Sequence, residues 1–220
     1  MSYTELKSYK QATAIYDFTV NFCARYIEPG GSYKSDGSYN SYSTYRSYKW
    51  KRMSDQMIQA ARSVKQNIVE GTAASKNNPK SELMLLGVAR ASCEELLEDY
   101  EDFLRQKGLA KWDKDDPRAV EIRQLAYRTD TSDKTNRTYK FYSSYASYLN
   151  DPEGAANAMI TLINQTNFLL DNQIQAVRNQ HQESGVMLES REQKLTRILY
   201  AQKKKEDAAD AWVRENSKGS

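Results

Sequence analysis

Ser54-Asp-Gln-Met-Ile-Gln-Ala-Ala-Arg-Ser-Val-Lys-Gln-Asn-Ile-Val-Glu-Gly71 is the stretch that decides the fold. Met57, Ala61, Val64 and Ile68 recur at spacings of four, three and four, which lines one face of a 3.6-residue helix. Ser54 or Asp55 can cap its start, because a side-chain oxygen there accepts an otherwise unpaired backbone N–H of the first turn. Gly71 can take the left-handed conformation that closes a helix. Ile58 and Val69 stand about 100–120° from the Met57 stripe. Two apolar stripes on one helix predict two contacts, one with the chain's own core and one with a partner chain.

Working outward, a first helix is expected from Thr4 to Ile27, with Ala12, Ile15, Phe18, Phe22 and Tyr26 facing the core. Tyr9, Tyr16, Val20 and Ile27 form a second stripe on it. Together with Ile58 and Val69, Tyr9, Tyr16 and Val20 are the candidate oligomer interface. Residues 32–50 read as a Tyr/Ser-rich loop, since they hold no aliphatic side chain to build a core. Asn78 and Pro79 open a third helix that runs to about Lys107 and stops at Gly108. Its apolar stripe is Leu86, Ala89, Cys93, Leu96, Leu97, Tyr100 and Phe103. Arg90 falls near that stripe, where a charge needs a partner; Glu94 one turn on, or Glu70 from the preceding helix, can supply one. Residues 113–155 are a polar and Tyr-rich connection, with a short helix over 119–128. The fourth long helix occupies 156–181, with its start near Glu153, and 182–220 is a charged helical tail. The fold class is therefore all-α: an antiparallel up-down four-helix bundle. It carries a Tyr-rich insertion before the fourth long helix and a helical C-terminal extension.

Composition narrows the function. Of 220 residues 28% are charged, and the net charge is +3. The mean hydropathy of −0.84 suits amphipathic helices rather than a buried parallel sheet. No apolar run reaches the length of a membrane span, and the N-terminus lacks the pattern of a signal peptide. The two cysteines, Cys23 and Cys93, fall in predicted helices, as free thiols of a reducing cytoplasm do. The expectation is a cytoplasmic protein without a membrane partner. The basic excess lies in residues 1–71, which hold ten Lys/Arg against six Asp/Glu. Arg46, Lys49, Lys51 and Arg52 cluster ahead of the key helix, and Arg62 and Lys65 border its second stripe. These six are the candidate phosphate contacts, although a charge run also serves as a plain solvated surface.

Tyr39, Tyr42, Tyr45 and Tyr48 recur every three residues, and so do Tyr139, Tyr142, Tyr145 and Tyr148. Tyrosines alternating with Ser, Lys and Arg can stack nucleic-acid bases while cations meet phosphates. They can equally form a protein-contact surface, or pack as loops over the helices. The chemistry of an enzyme is missing: His181 is the single histidine, and no Gly-rich phosphate loop or Glu-x-x-His pair occurs. No catalytic residue, metal or cofactor is expected.

Residues 54–71, followed by Leu86-Gly-Val-Ala-Arg-Ala-Ser-Cys-Glu-Glu-Leu-Leu-Glu-Asp-Tyr-Glu-Asp-Phe-Leu-Arg105, resemble the four-helix bundle proteins encoded in ribosomal RNA intervening sequences. The relatives of that family include the accessory variability determinant of diversity-generating retroelements. The chain from 113 onward, through Asn157-Ala-Met-Ile-Thr-Leu-Ile-Asn-Gln-Thr-Asn-Phe-Leu-Leu-Asp171, looks like the "four helix bundle suffix" of one bacterial subgroup. The resemblance implies a ring-shaped homopentamer that binds RNA or DNA and assists a reverse transcriptase. The chain departs from that pattern in its long Tyr/Ser stretch and its mild charge. The competing expectation is a protein-interaction scaffold that uses the two tyrosine repeats and binds no nucleic acid.

Overall fold

The structure, a computed structural model, describes residues 2–27, 41–75, 78–128 and 145–183 with Leu199 and Lys203; side chains at 41–49, 79, 126–128 and 182–183 lie outside that description. The described residues are helical and contain no strand. Among the described residues there are five α-helices: α1 Lys7–Phe22, α2 Ser41–Ala74, α3 Pro79–Lys107, α4 Pro117–Arg128 and α5 Pro152–Glu183. A π-helical turn, Cys23–Ile27, extends α1, and a 3₁₀ turn, Ala146–Asn150, leads into α5. None of these helices is long and apolar enough to cross a membrane. The chain divides into two compact units, Met1–Arg178 and Asn179–Ser220. In the second unit, described at 179–183, Leu199 and Lys203, Leu199 is exposed and His181 is buried.

The apolar periodicity becomes the core of the first unit. Met57, Ala61, Val64 and Ile68 are completely buried, as are Ala12, Ile15, Phe18 and Phe22 of α1. Leu86, Ala89, Cys93, Leu96, Leu97, Tyr100 and Phe103 line the buried side of α3, and Ala155, Met159, Leu162, Ile163, Thr166, Leu170 and Val177 that of α5. Phe22 sits at the centre of an aromatic cluster, 4.9 Å from both Tyr100 and Phe103 and 5.4 Å from Tyr26 between ring centroids. Burying each such ring contributes roughly 1.5–3 kcal/mol by area alone, and the edge-on contact of Phe22 with Phe103 suits the ring quadrupoles.

Polar pairs set the register between helices. Ser63 of α2 meets Ser92 of α3 at 2.9 Å. Thr19 of α1 shares a buried 2.9 Å hydrogen bond with Tyr100 of α3. Ser8 and Gln11 of α1 reach Gln173, Gln165 and Thr166 of α5. Along these pairs the numbers on α1 rise as those on α5 fall, so the two helices run antiparallel; α2 and α3 do likewise, with Gly71 against Leu85 and Leu86. On α3, Arg90 pairs with Glu94 and, at 3.2 Å, with Asp171 of α5; Asn167 donates to the same Glu94. Glu70, the other partner considered for Arg90, is exposed on α2.

Three expectations are corrected. The helix containing 54–71 starts at Ser41, not at Ser54 or Asp55, so residues 41–50 are not a loop. No Gly or Pro occurs between Ser38 and Glu70, and nothing there stops the helix from propagating backward. Ser54 is a buried interior residue of α2 rather than its cap. Gly71 does not end the helix: it is an interior position of α2, and Gly108 is the positive-φ glycine among the described residues. A Cβ at Gly71 would meet Glu82 O, Leu85 and Leu86 at ordinary contact distances of 3.5–3.6 Å, so the position marks where α2 and α3 approach closely. Third, Ile27 joins the core rather than the second stripe. The π turn advances five residues where an α turn advances about four, so Ile27 stands below Phe22. The start and stop of α3 follow the expected chemistry. Asn78 accepts the Ser81 N–H at 3.2 Å ahead of Pro79, and Gly108 takes φ 65°.

The Thr19–Tyr100 bond gives a direct test of register. Tyr100→Phe is expected to cost about 1–2 kcal/mol, because it strips the Thr19 hydroxyl of its cross-helix partner. Adding Thr19→Val should cost less than the sum of the single changes. Urea unfolding of the two single variants and the double variant measures that coupling, and strict additivity would show that the bond contributes nothing.

Candidate functional site

The structure places the expected nucleic-acid contacts along α2. Lys51, Arg52 and Arg62 are exposed, and so are Asp55, Gln56 and Gln59 between them. Arg52, Gln56, Gln59 and Arg62 follow one another at four, three and three residues, so one side of α2 turns a polar, cationic strip to water. Lys65 is arranged differently. Its ammonium lies 4.4 Å from the centroid of the Tyr16 ring, a cation–π contact across α1 and α2. Asp17 lies close enough for Lys65 to favour its carboxylate, although burial dominates and raises the Asp17 pKa. A predicted phosphate ligand and a predicted interface tyrosine thus face each other within one chain. Arg46 and Lys49 belong to α2 by backbone, and their side chains lie outside the described residues.

The second stripe divides. Tyr9, Tyr16 and Ile58 are half-buried and pack against the core of their own chain. Val20 and Val69 are half-buried too, outside that core packing. More open apolar side chains lie elsewhere: on α3, Met84 is 62% and Val88 43% exposed, one turn apart. They escaped the sequence reading because it followed the richer Leu86 stripe on the same helix.

The tyrosine repeats separate in the same way. Tyr39, Tyr139 and Tyr142 lie outside the described residues, as do the side chains of Tyr42, Tyr45 and Tyr48. Tyr145 is fully buried, which leaves it no face on which to stack a base or meet a partner. Tyr148 is half-buried against the core. Burial raises the pKa of both phenols. Nearby, the Tyr26 hydroxyl donates to the Leu149 carbonyl at 2.5 Å and holds the 3₁₀ turn to the end of the π turn.

A groove that the sequence reading missed lies between α4 and α5, with a volume of about 670 Å³. One of its lining residues, Trp112, is held by a clamp. The buried Asn157 side chain accepts the Trp112 N–H at 2.8 Å and donates to the carbonyls of Ala110 and Glu153. Glu153 accepts the Trp112 indole N–H at 3.1 Å, and the Arg118 guanidinium lies 4.0 Å from the centroid of that ring. Trp112 is thereby fixed at one end of the groove. Lys114 and Arg123 stand on its α4 side, and Asn164 and Phe168 on its α5 side. Arg123 donates to the Lys114 carbonyl at 2.5 Å, which ties α4 to the strap before it. Phe168 is 61% exposed. The signal was available: Phe168 is the one aromatic in 156–171 and stands off the Leu162–Thr166–Leu170 stripe.

The outer face of α3 carries Glu95, Asp99 and Asp102 close together, and the Asp99 pKa is raised to about 6, first by burial and then by Asp102 and Glu95. Burial also pushes the Cys93 thiol up to about 12, so it stays protonated. Cys23 and Cys93 are both free and buried. Among the described residues no group of three or more His, Cys, Asp or Glu is placed to hold a metal ion. No protein-family model matches the chain, and no curated protein and no solved structure matches it.

Asp99 supplies a pH test. A carboxylate whose folded pKa is raised binds its proton more tightly when folded, so its destabilising effect is absent below about pH 4, grows as pH rises toward about 6, and then stays constant. Asp99→Asn is expected to raise Tm at about pH 7.5 and to leave it unchanged at about pH 3.5. The shift should be modest, since Asp99 is only half-buried and solvent screens it. Thermal unfolding by circular dichroism at the two pH values checks this; an equal gain at both would point to packing instead of charge.

Proposed function

We propose that the chain is a non-enzymatic, homo-oligomeric helical protein that binds nucleic acid through phosphate contacts. On this reading α1, α2, α3 and α5 constitute an up-down four-helix bundle. The antiparallel hydrogen-bond pairs between α1 and α5 and between α2 and α3 support that arrangement. The observation that carries the function is the exposed strip Lys51, Arg52, Gln56, Gln59 and Arg62 on α2, three cations against the one exposed acid within that span, Asp55. Guanidinium and ammonium groups on a rigid helix meet phosphate oxygens without reading sequence, and the intervening glutamines add neutral hydrogen bonds. The resemblance to the intervening-sequence and retroelement bundle proteins points the same way and adds a ring-shaped homopentamer and a reverse transcriptase as partners.

Oligomerisation on this reading uses the exposed Met84 and Val88 of α3 more than Tyr9, Tyr16 and Ile58, which the chain already covers. Apolar side chains that stand one helical turn apart in water are what a subunit contact buries. The same two residues favour the second reading, a protein-interaction scaffold without nucleic acid. The tyrosine repeats contribute less to it, because Tyr145 is buried.

Replacing Lys51, Arg52 and Arg62 together by Gln is expected to weaken binding of RNA and DNA at low salt. It should also flatten the dependence of log affinity on log salt by about one unit per lost phosphate contact. Gel shifts at graded salt measure both quantities. Absence of wild-type binding at low salt, or an unchanged slope in the variant, would sink the nucleic-acid reading and leave the scaffold. Separately, Met84→Glu with Val88→Glu should lower the mass seen by light scattering while helicity stays the same. A wild type that is already monomeric would refute the oligomer.

A further inference from the structure

We propose that the α4–α5 groove is a binding site for single-stranded nucleic acid, with Phe168 as the platform on which a base stacks and Lys114 and Arg123 as the groups that meet the flanking phosphates. The inference rests on the nucleic-acid reading above and extends it from backbone attraction to a defined site for an unpaired nucleotide.

Four observations converge. The groove holds about 670 Å³, within the roughly 300–1,000 Å³ of sites that enclose small ligands, and so accommodates a nucleotide unit. Phe168 presents 61% of its surface to water at its edge, although it contributes nothing to the core stripe of α5. An exposed phenylalanine ring costs solubility and offers a π face to which any base can stack. The groove is cationic: Lys111, Lys114 and Arg123 line it against a single acid, Asp113. Lys111 is already paired with Glu101 at 2.5 Å, which leaves Lys114 and Arg123 for a phosphate, Arg123 through the guanidinium N–H groups other than the one it gives to the Lys114 carbonyl. Finally, Asn164 stands one turn before Phe168 on α5; its amide nitrogen donates to the Ile160 carbonyl at 2.9 Å, which holds the side chain in place and leaves the second amide hydrogen and the amide oxygen for a base edge.

The geometry also selects for single strands. In a duplex each base is stacked between its neighbours and cannot place a face on a ring that projects from a helix. The α2 strip carries no exposed aromatic among its described side chains and contacts backbone alone, so it should treat both forms alike. The groove and the strip therefore give separable signals. The walls of the groove are preformed, because the Asn157–Glu153 clamp fixes Trp112 and the Arg123–Lys114 bond fixes the strap, so little ordering should accompany binding.

The test uses the full chain and fluorescence anisotropy of labelled oligouridylate, oligothymidylate, an abasic deoxyribose-phosphate oligomer of equal charge, and a DNA duplex. Phe168→Ala should weaken oligouridylate and oligothymidylate binding by about 5- to 150-fold. It should leave the abasic oligomer and the duplex unchanged. Lys114→Gln should weaken binding of all single strands and reduce the salt slope by about one phosphate contact. Arg52→Gln with Arg62→Gln should weaken every probe, which reports the α2 strip alone. If the wild type binds no probe, both the function and the groove are overturned. If the α2 variant weakens binding while Phe168→Ala changes nothing, the groove is overturned and the function stands. If Phe168→Ala lowers the assembly mass, the ring is a subunit contact and the inference fails. Phe168 lies outside the core, so circular dichroism should show native helicity in the variant.

Discussion

The burial of the first turns of α5 on every side is the constraint on which the rest of the molecule depends. Gly154 to Ile160 are seven consecutive buried residues, although an amphipathic helix ordinarily buries one face. The small side chains of Gly154, Ala155, Ala156 and Ala158 let neighbouring backbone come close enough to enclose the helix. Such enclosure requires that the covering chain bring no unpaired backbone polar group inside. Asn157 meets that requirement with three hydrogen bonds at 2.8–2.9 Å, two of them to the strap at 110–112. Asp151 helps at the start, its carboxylate accepting the Gly154 N–H at 2.6 Å. Once the strap is tied, Trp112 and α4 have little freedom, and the α4–α5 groove is the space that remains between them.

Polar groups inside the first unit act as register marks rather than as the main source of stability. The apolar stripes of α1, α2, α3 and α5 would tolerate a slip of one turn, since a helical stripe repeats. Thr19 with Tyr100, Ser63 with Ser92 and Gln11 with Thr166 would not, because a slip leaves buried hydroxyls and amides without partners. Arg90 adds a charge-assisted version at the edge of α3 and α5, where Glu94 and Asp171 share its guanidinium. That arrangement keeps one charge near the apolar stripe without leaving it unpaired.

Much of the fold was legible residue by residue. Met57, Ala61, Val64 and Ile68 were readable because burial on one side of a helix imposes a 3.6-residue repeat, and Asn78-Pro79 and Gly108 because caps have local chemistry. The start of α2 was not readable: residues 41–50 are Ser, Tyr, Thr, Lys, Arg and Trp, whose own preference decides little until a long helix propagates through them. Gly71 misled because glycine signals both a helix stop and a close helix approach. Of the candidate site, the cations Lys51, Arg52 and Arg62 were legible as charges. That Lys65 covers Tyr16 and that Tyr145 is buried were not, because both depend on which elements meet.

Sequence alone determined the class of structure: helical periodicity, helix stops, absence of catalytic motifs and a mild cationic excess are properties of consecutive residues. Tertiary structure alone decided which surfaces stay open. Exposure is a property of pairs of elements distant in the chain, and the same half-apolar stripe is core or surface according to its neighbour. So Tyr9, Tyr16 and Ile58 pack half-buried against the chain's own core, while Met84, Val88 and Phe168 stand in water. The groove exists for the same reason, since Lys114 and Phe168, far apart in sequence, line one space because Asn157 draws the strap against α5.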